Sequence, residues 1–156
     1  QAALDMQNKL RSLVGTPALT WSDSLASQAQ QWSNRCVFAH MVEATVSVHK
    51  SFVEHFELLT FSLQSLTQFQ NLVAGENLAE GTVFTTCAQG IQMWVDERPL
   101  YRGDFTEASG HYSQMVWRTT TAVGCGFAKC SFGGFVTCLY SPAGNVLGQF
   151  AQNAPY

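Results

Sequence analysis

Two short runs near the end of this chain leave little freedom in how it can fold. Ala122 to Ala128 and Phe135 to Tyr140, both rich in Val, Phe and Cys, flank Ser131-Phe132-Gly133-Gly134. Apolar runs on either side of a glycine-bearing turn read as a β-hairpin. An antiparallel sheet with one apolar face cannot bury that face alone, so helices must cover it and a layered α+β domain follows.

The covering helices are expected upstream. Leu4 to Val14 is a helical stretch closed by Gly15 and Pro17, the first tolerating and the second enforcing a stop. Ser22 is placed to N-cap a helix running to about Arg35, with Leu25, Ala29 and Trp32 at helical intervals. Thr82 is expected to cap a helix carrying Trp94, which Pro99 prevents from continuing. A chain of 156 residues with 46% apolar content suits a single domain, 1–156, with a sizeable core.

Five cysteines leave one over. Cys87 lies on the stripe Phe84, Cys87, Ile91, Trp94, whose spacing of 3, 4 and 3 is that of one buried helix face, so its thiol is expected to pack as a small hydrophobe. Cys36, Cys125, Cys130 and Cys138 remain, and their three connectivities cannot be ranked from sequence.

The segment 41–73 reads as an insertion. Phe52, Phe56, Leu59, Leu63, Leu66, Phe69 and Val73 step at intervals of three and four, the apolar face of a helix of about six turns. An added helix packed on the domain, a partner or membrane-surface helix and a mobile insertion are the three readings. A membrane-surface helix carries many Lys and Arg on its polar side, and here only Lys50 is nearby.

Charge narrows the partners. A formal charge of −3 with only eight Lys plus Arg argues against a nucleic-acid footprint, which needs clustered cations to neutralise phosphates. No uncharged apolar run of the ~18 residues that a bilayer span requires is present, so no transmembrane segment is expected.

Gly110-His111-Tyr112-Ser113-Gln114-Met115-Val116-Trp117, followed by Cys138-Leu139-Tyr140-Ser141-Pro142-Ala143-Gly144-Asn145-Val146, resembles the two signature segments of the CAP superfamily. That superfamily groups cysteine-rich secretory proteins, insect-venom antigen 5 and plant and fungal pathogenesis-related proteins of class 1. Gly75-Glu76-Asn77-Leu78-Ala79 is similar to its central segment, and Asn8 with Arg11 to its first helix, where Gln7 stands in place of a histidine. Leu19-Thr20-Trp21-Ser22-Asp23 and Trp94-Val95-Asp96-Glu97 fit its second and a later helix.

The resemblance implies an α-β-α sandwich around a three-stranded antiparallel sheet, the bridges Cys36–Cys130 and Cys125–Cys138, and a secreted, extracellular protein whose signal peptide was removed before Gln1. It also implies a cleft tetrad of His40, Glu76, Glu97 and His111. Two imidazoles and two carboxylates suit a divalent ion such as zinc, each carboxylate orienting a histidine, or acid and base work on a bound water. The insertion lengthens the stretch between His40 and Glu76 beyond the family's usual span.

Fungal members bind sterols through an aromatic-rich loop after the helix corresponding to that of Trp94, which makes Trp94, Val95, Tyr101 and Phe105 the matching lipid-loop positions. Val95 replaces the usual tyrosine, Gly103 falls where a phenylalanine is expected, and the loop to His111 is shorter, so a sterol or fatty acid ligand is expected to be held poorly. The leading expectation is a non-enzymatic pathogenesis-related protein of lipid-binding ancestry. The alternatives are a defence or virulence interaction protein and a weak metal-dependent hydrolase. No nucleophile is evident for the last, since Ser113 is merely near His111 in sequence.

Overall fold

The computed structural model describes residues 1–41 and 74–156. Apart from Met41, the insertion with its apolar stripe lies outside the described residues. Strands β3 (Ala122–Cys130) and β4 (Gly133–Ser141) form the expected hairpin, in register from Ala122 opposite Ser141 to Cys130 opposite Gly133. Its turn is Ser131-Phe132 alone, and Gly133 follows at φ 130°, a backbone region that side chains rarely adopt.

The sheet corrects one expectation. Among the described residues it has four strands and is mixed, in the order β1-β3-β4-β2. Strand β2 (Gly75–Gly81) pairs antiparallel with β4, which gives the expected three antiparallel strands, but β1 (Thr20–Trp21) adds a parallel edge to β3. Two residues carry no periodicity to read. Asn8 helps seat them, because its side chain accepts from the Leu19 amide at 2.7 Å and donates to the Leu19 carbonyl at 3.0 Å, as a neighbouring strand would.

Helices cover both faces. On one, α2 (Asp23–Ser33) approaches β3 so closely that a Cβ at Gly124 or Gly126 would collide with the backbone at Ala26 or Gln30. Leu78, Phe135 and Leu139 pack there with Ala29 and Trp32. On the other, α1 (Ala2–Val14), α3 (Cys87–Asp96) and α4 (Gly110–Met115) bring Leu10, Ile91, Trp94 and Met115 onto Val123, Val136 and Tyr140. A strand buried on both sides reads as a near-continuous apolar run, as Phe135 to Tyr140 does apart from Thr137, whose buried hydroxyl bonds to that of Ser33. A last short helix, α5 (Phe150–Asn153), closes the chain.

The helix limits follow their caps. Gly15 ends α1 in the left-handed conformation, and the Ser22 hydroxyl accepts from the Leu25 amide at 3.3 Å. Helix α3 begins after Thr86 rather than Thr82. The Gln89 side chain turns back to accept from the Thr85 and Thr86 amides at 2.6 and 3.1 Å, satisfying donors that a helix start leaves over. Phe84 therefore lies in the preceding turn, yet still packs on the core beside Cys87. Pro99 sits in a single 3₁₀ turn, Arg98–Leu100.

The bridges are Cys36–Cys130, which ties the chain after α2 to the end of β3, and Cys125–Cys138, which joins directly opposed residues of the hairpin. Cys87 is free and half-buried, and burial pushes its thiol up from the ordinary cysteine range.

Candidate functional site

Helix α4 has only six residues and cannot stand alone, so the fold holds it from several directions. The buried Arg11 guanidinium donates to the Met115 and Trp117 carbonyls at 2.9 Å each and to Thr120 O at 3.0 Å, with a further bond to Pro17 O. Gln114 accepts from the Gly144 amide at 2.8 Å, and Asn145 donates to Gly110 O at 2.8 Å. The two signature segments are thus bonded to each other and to the first helix.

At the start of α4, His111 Nδ1 lies 2.6 Å from Glu97 Oε1, while Glu97 Oε2 accepts from the Tyr112 amide at 2.9 Å. Asn77 donates to the His111 carbonyl at 3.0 Å, and the Trp94 indole stacks on the imidazole with centroids 5.7 Å apart and planes at 20°. A carboxylate only accepts, so His111 Nδ1 carries a hydrogen and, in the neutral ring, Nε2 holds the lone pair. Among the described residues nothing hydrogen-bonds that Nε2.

The second pair mirrors the first. His40 Nδ1 is 2.5 Å from Glu76 Oε2, which also accepts from the Met41 amide at 3.2 Å. Glu76 Oε1 is buried without a hydrogen-bond partner among the described residues. His40 is thus brought to Glu76 and Glu97 to His111, as two pairs. Successive strand residues face opposite ways. Glu76 serves the α2 side, where Met41 joins the Leu78 and Leu139 cluster, and Asn77 turns to the α4 side. Among the described residues no three His, Cys, Asp or Glu side chains converge to hold a metal ion.

Ser113 makes no dyad with His111. It is fully buried, and its hydroxyl bonds to Gly110 O at 3.1 Å and Asn145 Oδ1 at 2.7 Å.

The lipid-loop positions divide. Trp94 and Tyr101 are each 1% exposed, the Trp94 indole donating to Leu78 O at 3.2 Å and the Tyr101 hydroxyl to Ala154 O at 2.9 Å. Val95 is partly buried against the same core, whereas Phe105 is 46% exposed and leans on Phe150. Sequence reasoning missed Asn77 and Trp94 as supports of His111. The available signals were Asn77 beside Glu76 in a strand and Trp94 one helical turn before Glu97.

Comparison with known proteins identifies the family. The family model for the CAP, cysteine-rich secretory protein family matches residues 4–140. Pathogenesis-related protein 1B of Nicotiana tabacum is 35% identical over 96% of this chain and 78% of its own length. Repressed by EFG1 protein 1 of Candida albicans is 33% identical over 93% of this chain and 46% of its own length. The solved structure of NaASP2 with Zn2+ matches at a TM-score of 0.71 and 22% identity, covering 100% of this chain and 85% of that one, and shows a shared fold. The chain belongs to the CAP, cysteine-rich secretory protein family and is similar to plant and fungal pathogenesis-related proteins of class 1.

Proposed function

We propose that this chain is a secreted, non-catalytic pathogenesis-related protein that binds a divalent cation weakly through His111, with His40 as the second ligand, and has largely lost sterol binding. The observation that carries the reading is the His111–Glu97 contact of 2.6 Å, the way metal-binding histidines are oriented. The donor chemistry fits zinc. The convergence is incomplete, so the expected site is open, completed by water and of low affinity. Two disulfides suit an oxidising, extracellular setting, and no described helix is long and apolar enough to cross a membrane.

Against hydrolysis stands the engagement of Ser113 by Gly110 and Asn145. Against sterol binding stands the burial of Trp94 and Tyr101, which leaves Phe105 and Leu100 as the exposed apolar surface of the loop. Mass spectrometry of lipids extracted from the purified protein, paired with an ester-turnover assay with and without zinc, tests both exclusions. No co-purified sterol and no zinc-dependent turnover are expected; either one overturns the corresponding part of the reading.

A further inference from the structure

We infer that Trp94 and Asn77 are positioning residues that set the plane of the His111 imidazole and hence the direction in which its Nε2 points. The inference rests on reading His111 as a ligand. Trp94 and Glu97 stand three residues apart at the end of α3, so one helix turn presents a flat ring and a carboxylate to the same imidazole. The carboxylate alone fixes one ring atom. The stack at 20° adds a second restraint by covering one face of the ring.

The indole is itself immobilised. It is 1% exposed and donates to the carbonyl of Leu78, the residue after Asn77. Asn77, also 1% exposed, holds the His111 carbonyl from the same strand. Three consecutive residues of β2 thus serve both pairs: Glu76 binds His40, Asn77 the His111 backbone, and Leu78 the ring that covers His111. A supporting shell of this kind tunes a ligand's direction without touching the ion, and its loss is expected to lower metal affinity about 10- to 100-fold.

The test reads the histidine before any metal is added. In ¹⁵N-histidine spectra of the metal-free parent at one mildly alkaline pH, His111 is expected as a single Nδ1–H tautomer with a rigid ring. Trp94→Leu, which removes the ring, and Asn77→Ala, which removes the backbone tether together with a bond to the buried Tyr140 hydroxyl, are each expected to give faster ring motion at His111, while Glu97 keeps the Nδ1–H tautomer. Trp94→Phe keeps an aromatic face and is expected to retain the parental signal. Should Trp94→Leu fail to fold, Asn77→Ala and Trp94→Phe decide the matter. A parental His111 spectrum in Asn77→Ala and in any folded Trp94→Leu overturns the inference. Zinc calorimetry on the same proteins separates the two claims: absence of zinc binding by the parent overturns the ligand reading, whereas the ring-motion result alone judges the positioning role.

Discussion

Arg11 donates to the carbonyl of Trp117 at 2.9 Å, joining the first helix to the signature segment 106 positions away. The guanidinium is fully buried, and among the described residues its hydrogen-bond partners are backbone carbonyls with no carboxylate. Burial lowers its pKa to about 10, which still leaves it charged at neutral pH. Arg11→Met keeps much of the volume but strands the carbonyls, each of which costs about 1–3 kcal/mol when buried unpaired. Urea denaturation is expected to show a loss on the order of 3 kcal/mol or more, and a change below about 0.5 kcal/mol would contradict the role.

The two bridges are expected to contribute unequally. Cys36–Cys130 spans 94 positions and Cys125–Cys138 only 13. Loop-closure entropy makes the longer worth about 4–5 kcal/mol and the shorter about 3 kcal/mol. Thermal melts of the paired alanine variants Cys36→Ala/Cys130→Ala and Cys125→Ala/Cys138→Ala check the order. Cys87 should alkylate only after unfolding, since burial raises its pKa and disfavours the thiolate. Rapid labelling of the folded protein would count against this.

Alkaline stability offers a separate check on the core. Burial pushes the Tyr101 phenol up to about 12 and raises those of Tyr112 and Tyr140 as well. A phenol whose folded pKa lies above its unfolded value near ~10 contributes stability that is whole below that pH and is lost as pH climbs towards 12. Parent and Tyr101→Phe should therefore converge in stability as pH rises from about 10 towards 12. A difference that stays constant across that window would show that Tyr101 does not titrate as a buried phenol.

The hairpin, the cap at Ser22 and the free Cys87 were legible because each has a local cause: strand composition, a side-chain acceptor, a helical stripe. The bridge pairing came only through family resemblance, since spacing alone cannot rank connectivities. Strand β1 was hidden because two residues have no period and their position depends on Asn8 reaching across a loop. Thr82 has the right residue type for a cap, but the helix starts after Thr86 because Gln89 folds back onto the Thr85 and Thr86 amides, which composition does not reveal. The tetrad was legible as a set of residues but not as two pairs. Which histidine takes which carboxylate, His40 with Glu76 and His111 with Glu97, depends on contacts across the fold that no spacing in the chain encodes.

Sterol binding is expected to be undetectable in the parent. Val95 is half-buried against the core, and a missing aromatic contact forfeits about 1–3 kcal/mol, with each 1.4 kcal/mol worth tenfold in affinity. Val95→Tyr adds aromatic surface at that position and is expected to raise cholesteryl or ergosterol binding. Strong binding by the parent would refute the claimed defect, and no gain in the variant would move the cause to the path of the loop through Pro99 and Gly103.

Zinc titration calorimetry on the parent and on His111→Ala tests the central claim most directly. The parent is expected to bind one zinc ion weakly, with affinity falling on acidification because a ligating imidazole must be neutral. His111→Ala is expected to abolish the binding heat while its bridges and unfolding transition remain. An unchanged zinc affinity in His111→Ala would contradict the account.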